Sequence, residues 1–275
     1  MPESRAQVNF DFEHFKPWSA YTPLVLQTAA TLRAASANRV GGAWQTTICT
    51  SAYPRNVPLD YAALANATDG LLPMAYSDHE AGSAFAGPVS QLHSTNKPNP
   101  GYGSSCPGLP GTLLQFKKLK VPMGALIMGQ PWFGWEWPVS STTVGAATAV
   151  RAGACEKDRH APGCDGTAFS ALQPKLAAAG KSGLEVHWDP VMEQPYYNRQ
   201  EKTGGETVHR SGSNSSAVQL FQGWYDDERS LAAKNKYIKD NGLQGTAVWG
   251  IWYGPTPNGS AMWASLHAAY GGGSV

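Results

Sequence analysis

Hydrophobic and polar residues alternate near the start of the chain. Val8, Phe10 and Phe12 fall on one side, and Asn9, Asp11 and Glu13 on the other, which is the period of a β-strand. Further β-rich runs cover residues 43–52, 69–76, 124–133 and 245–251. Helical patterns fall between and after them: residues 18–38, with Ser19 as candidate cap and Pro23 in the first turns, 59–65 with Asp60 near its start, and 112–119. Two more cover residues 227–240, stopped by Gly242, and 260–270. Residues 138–222 are too long for a plain strand-to-helix connection. They predict a small α+β insertion with a helix at 169–178 and strands near 184–188, 193–198 and 222–225.

An apolar back with a row of acids in front is an uncommon strand. Carboxylates are costly to bury unless paired, hydrogen-bonded or in use. Asp11 and Glu13 are two residues apart, so their Cα atoms lie roughly 6–7 Å apart on one face. At that range each carboxylate affects the other's proton, and one tends to stay protonated. A protonated Glu beside an ionised Asp is what acid catalysis at a sugar bond requires. The competing reading is a strand end meeting solvent, where acids cost little.

Composition narrows the partners. The formal net charge is +1 with 15% charged residues, which argues against nucleic acid or an anionic membrane surface as main partner. The ten Trp and eleven Tyr supply rings that stack on sugars, although most such rings are core. Cys49, Cys106, Cys155 and Cys164 include no C-x-x-C pair, so no zinc site is expected. Cys155 and Cys164 enclose a short Pro/Gly-containing loop and predict a disulfide; Cys49 reads as a free buried thiol, and Cys106 has no assigned partner. Asn66, Asn214 and Asn258 begin N-glycosylation patterns. With the disulfide they predict a lysosomal or extracellular protein. Neither a signal peptide nor an apolar stretch of about 18 residues is visible. The residues 83–110, rich in Gly, Ser, Pro and Asn, predict a long loop.

Five motifs in order carry a resemblance. Asn9-Phe10-Asp11-Phe12-Glu13 resembles the end of D-G-x-N-I-D-x-E on the fourth strand of the family-18 glycoside hydrolases, the chitinase-like (β/α)8 barrels. Pro73-Met74-Ala75-Tyr76 resembles the M-x-Y of their sixth strand, and Leu126 to Gly134 the L-x-M-G-x-P-x-Y-G of the seventh. Trp224-Tyr225-Asp226-Asp227 resembles the segment before the last barrel helix, and Gly245 to Trp249 the eighth strand with its Trp. Within the family the likeness is nearest to the chitobiase branch, and it runs over nearly the whole chain.

The resemblance implies a single catalytic domain over residues 1–275 with the α/β TIM-type (β/α)8 barrel fold, incomplete, with strands four to eight present and the α+β insertion at 138–222 between strands seven and eight. The acidic strand is the fourth in the family yet begins close to Met1. The chain is therefore expected to be a fragment or short form lacking strands one to three. The implied reaction is substrate-assisted, retaining hydrolysis of β-linked N-acetylglucosamine, with Glu13 as acid, Asp11 as the residue that orients the acetamide, and Tyr76 as donor to the acetamide oxygen. Substrate-binding candidates are Asn9, Met74, Asp78, Gln130, Trp132, Trp224 and Trp249. The implied partner is an N-acetylglucosamine-containing oligosaccharide met by a monomer, and the resemblance implies no metal or cofactor.

Three departures stand out. Ala6 and Gln7 replace the motif's Asp-Gly, Phe133 replaces a Tyr, and Ser77 replaces the Asp after Tyr76. Asp78 can substitute for that acid only if the strand has already ended, because a one-residue slip reverses side-chain direction. Tyr76 and Trp249 each have the alternative of being barrel-packing rings. Trp132, Phe133, Trp135 and Trp137 are expected at the C-terminal barrel mouth. The rivals to an enzyme are a lectin-like binding protein and an inactive fragment.

Overall fold

A computed structural model describes residues 7–13, 16–37, 44–94, 108–150, 154–158, 160–177, 179–180, 183–203, 217–254 and 261–271. In chain order the elements are β1 (Gln7–Phe10), α1 (Tyr21–Ser36), β2 (Gln45–Ser51), α2 (Tyr61–Ala67), β3 (Gly70–Met74), α3 (Gly108–Lys118), β4 (Ile127–Pro131) and β5 (Phe133–Val139). Then follow α4 (Ala154–Lys157), β6 (Gly166–Ala168), α5 (Phe169–Ala177), β7 (Leu184–Asp189), β8 (Gln194–Thr203), β9 (Ala217–Trp224), α6 (Glu228–Asp240), β10 (Gly245–Trp249) and α7 (Ala261–Tyr270). They fall into two compact units.

The first unit is drawn from Met1–Tyr76, Gly108–Gln130 and Lys234–Val248. Its β1, β2 and β3 pair in parallel in that order, with Asn9 opposite Thr47 and Cys49 opposite Leu72. A parallel bridge between Leu71 and Leu126 continues the series towards β4, which pairs with β10. Gln244 N–H donates to Leu126 O at one end of that pair and Trp132 N–H donates to Trp249 O at the other. Residue numbers rise together, so this pair is parallel as well. The strands thus succeed one another in the order expected of barrel strands four to eight.

Parallel sheets are covered on their faces by helices, and the sequence supplies them. Tyr21, Val25 and Ala29 repeat every fourth residue and bury one stripe of α1. Ser19 does not cap it: Trp18–Ala20 is a separate 3-10 turn and Ala20 precedes the helix without a side-chain cap. Asp60 does cap α2, its Oδ1 accepting from Ala63 N at 2.9 Å. Tyr61 of α2 meets Phe116 of α3 edge-on at 5.7 Å, while Ile48, Leu71, Leu126 and Met128 lie fully buried in the sheet. Each such side chain contributes about 1.5–3 kcal/mol.

The second unit holds an antiparallel sheet in the order β6-β5-β9-β8-β7. This is the expected α+β insertion, widened by β5. Residues 124–133 read as one strand from the sequence, but β4 stops at Pro131 and β5 begins at Phe133. The aromatic run from Phe133 to Trp137 therefore belongs to the insertion sheet, where Trp135 faces Trp224 and Trp137 faces Gln222. Trp137, Val139, Met192 and Trp224 form its buried core with Ala86 and Ala146. Cys155 and Cys164 are joined by the expected disulfide. Cys106 and most of the 83–110 loop beyond Ser94 lie outside the described residues, as do the sites of Asn214 and Asn258. Among the described residues no helix is long and apolar enough to cross a membrane.

Candidate active site

The site is built on β1 to β3. β1 is shorter than its alternation predicts, and Asp11 and Glu13 lie past its end, exposed. Phe10 alone of the apolar row is buried; Val8 is 36% and Phe12 48% exposed. The physical reason is position: β1 has β2 on one side and no strand on the other among the described residues. Phe12 packs edge-on against Tyr21 of α1 at 6.1 Å.

Asn9 is held from β2. Its Oδ1 accepts from Thr47 Oγ1 at 3.1 Å, and its Nδ2 donates to Cys49 Sγ at 3.3 Å. Burial pushes the Cys49 thiol up to about 11; the Asn9 bond opposes this, while Asp11 and Glu13 add to it. Thus the thiol is protonated at neutral pH.

Tyr76 follows β3, and its hydroxyl is pushed above its ordinary value by burial first, then by Cys49, Asp11 and Glu13. Both carboxylates therefore act on the same phenol, although Asp11 and Glu13 are more than sixty residues away in sequence. Burial, Cys49 and Asp11 likewise raise Tyr21, to about 12. The Tyr76 ring lies over Gly129 of β4, where an added Cβ would stand 3.2 Å from Tyr76 Cε1 and 2.8 Å from Pro73 O. A residue with a side chain at 129 would displace the ring or the strand. Asn9, Asp11, Glu13 and Tyr76 are thus gathered in one unit, with Cys49 and Tyr21 as members that sequence reasoning did not assign to the site. Their signal lay in strand register, which puts Cys49 two residues beyond Thr47, the partner of Asn9.

The remaining candidates take varied positions. Met74 ends β3 and is half-buried. Gln130 is fully buried, its Nε2 donating to Asn235 Oδ1 at 3.2 Å. In the second unit, Asp78 meets the condition that the strand has ended, since β3 stops at Met74 and Ser77 has a φ of 65°. Its Oδ2 accepts from Gln91 N at 2.9 Å. Trp249 is 43% exposed. Trp132 and Trp224, expected as sugar-binding rings, are 1% and 0% exposed. Trp263 at 4.5 Å and Gly254 enclose Trp132. Tyr196 stacks on Trp224 at 4.9 Å, and Trp224 Nε1 donates to Gln222 Oε1 at 3.0 Å. Stacking on a sugar needs an open ring face, and neither ring offers one here.

This arrangement has relatives. Di-N-acetylchitobiase of Rattus norvegicus is 25% identical over 196 residues, covering 69% of this chain and 44% of its own. A probable di-N-acetylchitobiase 1 of Dictyostelium discoideum is 26% identical over 218 residues, covering 77% and 52%. The chain thus spans about half the length of the curated relatives it matches. Among solved structures, chitinase ChiA74 from Bacillus thuringiensis superposes with a TM-score of 0.73 at 19% identity, covering 98% of this chain and 44% of its own. Human YKL-39, a pseudo-chitinase with retained chitooligosaccharide binding, superposes at 0.71 and 16%, covering 96% and 68%. These likenesses place the fold among the TIM-type barrels, and the described residues carry an incomplete set of barrel strands. The profile of the glycosyl hydrolases family 18 matches residues 7–253, and the chain belongs to that family.

Proposed function

We propose that this chain hydrolyses β-1,4-linked N-acetylglucosamine, in chitobiose, chitin oligosaccharides or glycan cores, by substrate-assisted retention. The observation that carries the reading is that Asp11 and Glu13 follow the C-terminal end of β1 and Tyr76 follows that of β3, in one parallel sheet, the end at which barrel enzymes do their chemistry. Glu13 protonates the bridging oxygen. The substrate's acetamido oxygen attacks the anomeric carbon and forms an oxazolinium ion, so no second protein carboxylate acts as nucleophile. Asp11 orients the acetamide and stabilises its positive charge, and Tyr76 donates to its oxygen. Glu13, now ionised, draws the proton from water in the second half.

Asn9 holds the acidic segment through Thr47 and Cys49. Met74 and Gln130 are further candidates of the first unit and Asp78 and Trp249 of the second, where Trp249 offers a sugar an exposed ring. Trp132, enclosed by Trp263 and Gly254, and Trp224, stacked with Tyr196, act through packing. A lysosomal or extracellular location fits the Cys155–Cys164 disulfide.

A second reading is sugar binding without hydrolysis. It draws on the likeness to YKL-39 and on Ser77 standing after Tyr76. The retained Glu13 favours the enzyme. The test is release of a fluorescent leaving group from an N-acetylchitobioside, beside Glu13→Gln. Activity lost in the variant supports the enzyme. Equal background rates in both, with chitotetraose still bound, leave the binding protein.

A further inference from the structure

Trp252 is 63% exposed, and with Ile251 it is the most exposed large apolar side chain described. It is nevertheless held. Residues Ile251–Tyr253 form a 3-10 turn in which Tyr253 N–H donates to Gly250 O at 2.8 Å. The indole folds back on Gly250 so closely that a Cβ there would stand 2.9 Å from its Cε2 and Cζ2. On its flanks it meets Trp249 at 5.4 Å and 73°, and Tyr253 at 5.6 Å and 67°. Tyr253 in turn meets Phe133 at 6.4 Å. An apolar ring of this size normally hides from water. Here it is fixed in advance with its surface open, which removes the ordering cost of binding.

We propose that Trp252 is a specificity-determining residue that stacks on a second pyranose ring, next to the one carried by Trp249. The proposal rests on the reading of this chain as a binder and hydrolase of N-acetylglucosamine chains. The chemistry that suits an exposed indole face is a flat patch of C–H bonds on a ring whose hydroxyls stay in water, which a pyranose provides and an aliphatic side chain does not. The two indoles meet edge to face and do not stack flat on one another, and 43% of Trp249 and 63% of Trp252 stay exposed. Successive rings of one oligosaccharide are the ligand that would use both, so Trp252 should favour longer chains over the disaccharide.

The test is calorimetric binding of chitotetraose and chitobiose to the wild-type chain, Trp252→Ala, Trp252→Leu and Trp252→Phe. Trp252→Ala and Trp252→Leu should weaken chitotetraose about three- to tenfold and leave chitobiose nearly unchanged. Trp252→Phe should restore most of the loss. The leucine variant retains apolar bulk, so a thermal midpoint equal to wild type separates lost stacking from lost folding. Wild-type affinity for chitotetraose in either truncated variant would overturn the proposal while the hydrolase reading stands. Equal loss for both sugars would do the same, because it marks a general disturbance. Absence of chitotetraose binding by the wild-type chain would remove both.

Discussion

Asn9 and Cys49 meet across β1 and β2, amide nitrogen to sulfur, at 3.3 Å. The contact ties the strand that leads into Asp11 and Glu13 to its neighbour through a thiol that stays protonated, pushed up to about 11 by burial first and then, against the Asn9 bond, by Asp11 and Glu13. Cys49 should therefore react with iodoacetamide at neutral pH on the order of a hundredfold more slowly than an exposed cysteine. Its rate should climb about tenfold per pH unit up to pH 10. Peptide-resolved mass spectrometry measures this; a rate already level at pH 8 would contradict it.

Removing the Tyr76 hydroxyl isolates its proposed role. Tyr76→Phe keeps the ring on Gly129 and should lower kcat/KM on the chitobioside by roughly a hundred- to a thousandfold, the loss typical of one donor to a developing charge, with an unchanged thermal midpoint. Because the hydroxyl titrates above its ordinary value, the wild-type rate should show no tyrosine-dependent fall up to pH 10. Full activity in the phenylalanine variant would strike Tyr76 from the mechanism.

Arg199 grips both oxygens of Glu136, Nε to Oε2 at 2.8 Å and Nη2 to Oε1 at 2.6 Å, while Tyr197 Oη donates to Oε2 at 2.7 Å. Burial raises this carboxyl, but the Arg199 and Tyr197 hydrogen bonds outweigh it and hold it below its ordinary range. A lowered folded value means that the stabilisation is complete above the unfolded value, about 4.3, and is lost as pH falls through the folded one. Glu136→Gln should cost about 2 kcal/mol in urea unfolding at pH 7, discounted for partial exposure. The gap from wild type should shrink below pH 4. A gap that stays constant down to pH 3 would refute the linkage.

Gly223 of β9 lies under the Tyr197 ring, where a Cβ would overlap Cζ, Cε1 and Oη. Gly223→Ala must move the ring or the strand, and should destabilise the chain by about 1–3 kcal/mol. Equilibrium unfolding of the variant beside wild type decides it, and an unchanged midpoint would show that the ring moves freely.

The strand–helix succession was legible because each barrel strand is a short β-rich run and each helix carries its own stripe or stop, as Gly242 does after α6 with a φ of 67°. The break between β4 and β5 was not. A single residue, Trp132, separates them, and both are apolar, so the run reads as one strand followed by a loop. Motif order pointed to Asp11, Glu13 and Tyr76 as candidates, and they fall in one unit. Cys49 and Tyr21 were invisible, because nothing local says that β2 and α1 come beside the acids; register and packing do. Aromatic type alone overcalled Trp132 and Trp224, since the sequence distinguishes a ring from its neighbours but not an open face from a covered one.

Tyr76 and Gly129 approach each other closely. A residue just past the end of β3 and a residue of β4 share one volume. A Cβ at 129 would press first on the Pro73 carbonyl, at 2.8 Å, and would push the Tyr76 ring by a few tenths of an ångström. The space over residue 129 is thus already occupied, by the Pro73 carbonyl and the Tyr76 ring, and the ring's position depends on that space staying empty of a side chain.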